Sequence, residues 1–144
     1  MNRRELLLAT AALSLPQITA AQEPRVERDI VYGTPGGHRL LMDMYRPSGP
    51  GPHPAVVLVH GGGWLGGSKA GYAAIGPMLA RNGYAACAIN YRLAPDFPYP
   101  AAFDDCQRAV RWVRAHARDY NINPRRVGAM GDSAGGHLVA LIGV

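Results

Sequence analysis

From residue 25 onward the apolar positions alternate between strand-like and helix-like spacing. Arg25 to Tyr32 carries Val26, Ile30 and Tyr32 and reads as a first strand, and Thr34-Pro35-Gly36-Gly37 follows as a turn. Arg39 to Tyr45 alternates through Leu41, Asp43 and Tyr45 and is predicted to pair antiparallel with the first strand. Pro47 to Pro54 is a loop. Ala55 to Val59 is continuously apolar, as a strand buried on both faces of a parallel sheet must be, and it runs straight into His60 and three glycines.

Residues 71–82 have helical spacing, with Ile75, Met78 and Leu79 on one face and Gly83 as the stop. Tyr84 to Asn90 is another buried strand, and Pro95 to Pro100 is an extended loop. Ala101 to Tyr120 is predicted to be the longest helix, its apolar stripe passing through Phe103, Cys106, Ala109 or Val110, and Val113. Asp104 and Asp105 in its first turns, and Arg114 and Arg118 in its last, suit the helix dipole. Asn123-Pro124 is expected to break the chain before a short strand, Arg126 to Met130, and helix resumes at Ala134 or Gly135. The order β-β-β-α-β-α-β-α predicts an α/β fold: a mostly parallel sheet with helices on both faces. With 144 residues and 48% hydrophobic side chains, the chain has the length of one domain and the composition of a packed core.

The first residues read as a processing segment. Arg3-Arg4 precedes an apolar run from Leu6 to Leu15 that is too short to span a bilayer, and Thr19-Ala20-Ala21 supplies small residues for cleavage. Residues 1–21 are therefore expected to be a signal peptide, of the general secretory or the twin-arginine type. The mature chain from residue 22 is expected to be exported, periplasmic or secreted, without a stable membrane anchor. The net charge of +5 is carried almost wholly by arginines spread along the sequence, a distribution that argues against nucleic-acid binding. Cys87 and Cys106 fit no metal spacing; they read as two buried thiols, with a disulfide as the alternative.

Two motifs carry chemistry. Gly131-Asp132-Ser133-Ala134-Gly135 is a G-x-S-x-G sequence between a predicted strand and a predicted helix. Such a sharp turn exposes the serine hydroxyl as a nucleophile, the flanking glycines relieve crowding, and the N–H of Ala134 opens the helix toward a developing oxyanion. His60-Gly61-Gly62-Gly63-Trp64 follows a buried strand, and its glycines can aim the N–H groups of Gly62 and Gly63 at one point. His60 reads as ordering this loop rather than as a base. His137, one helical turn beyond Ser133, reads as packed or solvated. Tyr91-Arg92-Leu93-Ala94-Pro95 reads as a shape-setting loop.

These motifs, in this order, resemble the α/β-hydrolase superfamily, in its branch of hormone-sensitive-lipase-like carboxylesterases. The chain is similar in particular to bifunctional feruloyl/acetylxylan esterase-like proteins, from about residue 26 onward. The resemblance implies an α/β-hydrolase domain over residues 22–144, with Ser133 as nucleophile and Gly62, Gly63 and Ala134 as oxyanion donors. His60, Gly61, Trp64, Gly131, Asp132 and Gly135 support the motifs, and no cofactor or metal is implied. The implied substrate is a small-molecule or polysaccharide ester. Asp96 stands where relatives often carry Glu. In the family the triad acid and histidine follow the nucleophile strand, whereas Val144 falls in the helix after the serine. The expectation is therefore an incomplete domain, nearly inactive by itself and truncated after the nucleophile-elbow strand, which would be left as an uncovered edge. A serine peptidase of the same fold and a non-catalytic degenerate homologue are the alternatives.

Overall fold

The computed structural model describes residues 22–143, so the expected signal peptide at 1–21 lies outside the described residues. Five strands, β1 (Arg25–Gly33), β2 (Leu40–Arg46), β3 (His53–Val59), β4 (Ala85–Ile89) and β5 (Ile122–Gly131), form one sheet in the order β1-β2-β4-β3-β5. β1 pairs antiparallel with β2, and β2 antiparallel with β4. β4, β3 and β5 run parallel. The continuously apolar segments take the interior: every residue of β4 is buried, and Val57, Leu58 and Val59 of β3 are sealed from solvent.

Among the described residues three α-helices cover the sheet. α1 (Ile75–Arg81) contacts β2 and β4, and its Ala80 joins Tyr45, Leu58, Ala86 and Ala88 in one apolar cluster. α2 (Ala101–Ala115) and α3 (Ala134–Ile142) contact each other and pack into the larger cluster around Met42, Met44, Val57, Val59, Cys87 and Ile89. Cys87 and Cys106 are free and buried, and burial pushes both thiols up to about 12.

Three elements differ from the sequence expectation. The helix expected over 71–82 divides into a 3-10 turn, Lys69–Tyr72, and the shorter α1. The buried face runs through Tyr72, Gly76 and Ala80 because Gly76 lies directly on the Tyr45 ring; Met78 faces outward and is 49% exposed. α2 ends at Ala115, short of Tyr120, where the Trp112 carbonyl meets both the backbone N–H and the ring Nδ1 of His116 (3.0 and 2.9 Å). Arg118 consequently lies beyond the helix. Asn123-Pro124 does not end β5: His53 faces Ile122 and Ala55 faces Val127, so residues 123–126 bulge from the ladder. Proline has no N–H to give a ladder, and a bulge accommodates it.

Candidate active site

The parallel strands β3 and β5 deliver both motifs to the same sheet edge. Ser133 stands between β5 and α3 with φ 48° and ψ −119°, a left-handed conformation strained for a side-chain-bearing residue. The turn is tight enough that a Cβ on Gly131 would sit 2.5 Å from Gly135 C, and one on Gly135 would overlap the Val59 carbonyl oxygen. Ser133 is exposed, and its hydroxyl makes no cap hydrogen bond to α3. Gly61 faces it so closely that an added Cβ there would lie 3.2 Å from Ser133 Cβ.

Successive peptide planes of the glycine loop are each fixed by one partner. In a planar trans peptide the C=O and the following N–H point in opposite directions. The His60 carbonyl accepts from Tyr91 OH at 2.7 Å, and on the other side of that plane Gly61 N–H donates to Asp132 Oδ1 at 3.2 Å. The Gly61 carbonyl accepts from His60 Nδ1 at 2.8 Å, which turns Gly62 N–H the opposite way. The Gly62 carbonyl accepts from Leu65 and Gly66 N–H, both at 3.1 Å, which turns Gly63 N–H outward. Gly62 and Gly63 have φ of 129° and 61°, values glycine adopts readily. Among the described residues the N–H groups of Gly62, Gly63 and Ala134 donate no hydrogen bond. They are the donors the sequence singled out.

The supports reach into the core. His60 is 4% exposed and stacks on Tyr91, with ring centroids 4.2 Å apart. Burial lowers its pKa, only partly opposed by the bond to Gly61. The acceptor-only Gly61 carbonyl requires the proton on Nδ1. Asp132 Oδ1 also accepts from Tyr72 OH at 2.8 Å, and that bond, with Gly61 N–H, holds its carboxyl below the usual carboxylate range. Tyr72 is buried, and its own pKa is raised by burial and by the Asp132 carboxylate. Sequence reasoning missed Tyr72, which falls in the segment read as a helix over 71–82, where spacing marks a side chain only as core.

The ion pairs of Arg92 and Lys69 anchor the surrounding loops. Arg92 grips the fully buried Asp105 of α2, with nitrogen–oxygen distances of 2.8 to 3.2 Å from its guanidinium and a further bond from its backbone N–H. Ala94 N–H then donates to the Trp64 carbonyl, so the loop after β4 braces the glycine loop. Behind the glycines, Lys69 Nζ lies 2.6 Å from Asp43 and 3.0 Å from Asp29, and Lys69 N–H donates to Asn90 Oδ1 at 2.7 Å. Burial lowers the Lys69 pKa, but the bonds to the two aspartates outweigh it and the net shift is upward.

His137 is exposed and sits edge-on to Trp64, centroids 5.5 Å apart; among the described residues no hydrogen bond joins it to Ser133. Trp64 is 42% exposed beside the glycines. A cavity of about 400 Å³ opens beside Asp132, lined by His60, Gly61, Tyr72 and Met130.

The BD-FAE family profile matches residues 42–144. The carboxylic ester hydrolase LipN of Mycobacterium tuberculosis is 43% identical over 100 residues, which are 68% of this chain and 27% of that protein. The ethyl acetate hydrolase of Pseudomonas putida is 35% identical over 126 residues, 85% of this chain and 40% of that protein. The chain thus spans well under half the length of these relatives. The butyrate-bound structure of esterase Est2 from Thermogutta terrifontis superposes with a TM-score of 0.73 at 32% identity, covering 82% of this chain and 43% of that one. The Pyrobaculum calidifontis esterase gives a TM-score of 0.75 at 37% identity, covering 84% and 40%. The fold of the described residues is that of α/β-hydrolase esterases.

Proposed function

The chain belongs to the BD-FAE family, and from that premise we propose that the protein is a serine carboxylic-ester hydrolase. Ser133 Oγ attacks the ester carbonyl carbon, and the carbonyl oxygen takes the negative charge on the N–H groups of Gly62, Gly63 and Ala134. The alcohol leaves with the proton taken from Ser133, and an acyl-enzyme remains. Water then adds to the acyl carbon, releasing the acid and restoring the hydroxyl. The base and acid that complete the triad are, in this reading, residues other than His60 and His137. His60 is buried and stacked on Tyr91, the His137 ring lies against Trp64, and among the described residues neither ring is hydrogen-bonded to Ser133.

The observation that carries the proposal is the set of three idle N–H groups around a strained, exposed serine. Donors fixed before the reaction stabilise an oxyanion without reorganisation when it forms. The proposed substrates are small esters, including acyl groups linked to polysaccharide. Arg3-Arg4, the apolar run after them and the small residues at 19–21 support action outside the cytoplasm.

Hydrolysis of a short-chain nitrophenyl ester by the protein expressed from its complete gene tests the proposal. The expected result is turnover in the parent protein and none above background in Ser133→Ala. Equal turnover in the two refutes it.

A further inference from the structure

The 3-10 turn Lys69–Tyr72 is fastened at both ends. At its start stands Lys69, the sole lysine of the sequence. An ammonium offers three donors, and here Asp43 lies 2.6 Å and Asp29 3.0 Å from Nζ. Asp43 is buried on β2. Asp29 falls between Glu27 and Ile30, where the register of β1 shifts, and its φ of 56° is left-handed. Such a conformation persists where its surroundings hold it: Asp29 N–H donates to Asp43 Oδ1 at 3.0 Å. The Lys69 backbone N–H donates to Asn90 Oδ1 at 2.7 Å, and Asn90 N–H to the Leu41 carbonyl at 2.9 Å. Lys69 is thus gripped by β1, β2 and the residue that follows β4.

The other end of the turn reaches the site. The Tyr72 hydroxyl has one proton and two oxygens within reach, Asp132 Oδ1 at 2.8 Å and the Val59 carbonyl at 3.2 Å. The shorter, charge-assisted bond takes the proton. The same Asp132 oxygen accepts Gly61 N–H, one residue before the donor Gly62. Just before the turn, Gly67 folds back on the glycine loop, where an added Cβ would lie 2.5 Å from His60 Nδ1. Four residues in a hydrogen-bonded turn move as one piece, so a shift at Lys69 is felt at Tyr72.

We propose that Lys69 is a positioning residue for the oxyanion hole. Its ion pairs with Asp43 and Asp29 set the turn that aims Tyr72 at Asp132, and Asp132 in turn holds the glycine loop against the Ser133 turn. The role rests on the esterase reading. Neutralising the buried Asp43 is not its whole purpose, because Arg28 reaches the same carboxylate from the exposed side at 3.3 Å. Arg28 belongs to β1 and lies outside the turn, so it supplies charge without position.

The test is steady-state hydrolysis of a short-chain nitrophenyl ester by the protein expressed from its complete gene, at a temperature where circular dichroism shows each variant folded. Lys69→Gln is expected to lower kcat about tenfold while KM changes less than about twofold. Tyr72→Phe, which removes only the hydroxyl, is expected to show a comparable loss. The double variant should be no slower than the slower single one, because both changes act through one hydrogen bond. Arg28→Gln is expected to keep the parental kcat. Should Lys69→Gln not fold, Lys69→Arg keeps the charge while its planar fork displaces the turn, and the same loss of kcat, or its absence, decides. Parental kcat in a folded Lys69 or Tyr72 variant, losses that multiply in the double variant, or an equal loss in Arg28→Gln overturns the proposal alone. Absence of turnover in the parent protein refutes the esterase reading, and the proposal with it.

Discussion

Asp132 Oδ1 accepts the Gly61 N–H at 3.2 Å and so fastens the loop after β3 to the turn after β5, residues 71 positions apart in the chain. The same oxygen takes the Tyr72 hydroxyl at 2.8 Å. One carboxylate thereby sets the distance between the glycine loop and the Ser133 turn.

Its ionisation is linked to stability. The Tyr72 bond is the largest effect and lowers the Asp132 pKa below 3.8; burial opposes it, and the Gly61 bond adds a smaller lowering. A carboxylate with a depressed folded-state pKa contributes stability above its unfolded pKa and loses it as pH falls through the folded value. The parent chain is therefore expected to melt above Asp132→Asn at pH 7, by no more than about 1 kcal/mol for so exposed a group. The gap should narrow as pH falls below 3.8, the ordinary value. Thermal melts followed by circular dichroism from pH 7 downward measure it; a gap that widens in acid contradicts the linkage.

In the proposed reaction His60 acts through Gly62. With the Nδ1 bond to the Gly61 carbonyl removed, the peptide plane that aims Gly62 N–H is free to rotate. His60→Ala is expected to lower kcat about 100-fold, the scale of losing one oxyanion donor, with KM changing far less. Steady-state kinetics on a short-chain ester check this. A rise in KM at constant kcat would assign His60 to substrate binding.

Arg92 and Asp105 form the most deeply buried ion pair described, Asp105 being fully inaccessible. Arg92→Ala strands a buried carboxylate and is expected to destabilise the fold by about 3–5 kcal/mol. The double change Arg92→Met with Asp105→Leu removes both charges and should recover most of that loss. Urea unfolding of the single and double variants decides it; equal losses in both would mean that the pair contributes through more than charge compensation.

The local geometry of the glycine loop and the Ser133 turn was legible where sequence and backbone coincide. Ala55 to Val59 announces a doubly buried strand, and the glycines on either side of Ser133 announce an elbow, because local sterics write both. The bracing was not legible. Asp105 read as a helix-dipole residue and Arg92 as part of a loop, because nothing in their spacing shows that a bend brings the pair together. Tyr72 and Asp132 meet across 60 positions, and Lys69 meets Asp43 across 26. Single polar side chains at such separations leave no periodic trace. Helix ends failed for a related reason: the close seat of Gly76 on Tyr45 and the His116 cap at Trp112 are tertiary and side-chain events that apolar spacing does not encode.

The central claim is that Ser133 is a nucleophile facing three fixed donors. It is tested most directly by treating the protein expressed from its complete gene with a fluorophosphonate and locating the adduct by mass spectrometry of its peptides. The account predicts one phosphonyl group, on Ser133, and none in Ser133→Ala. An unmodified Ser133, or equal labelling of the Ser133→Ala variant, would contradict it.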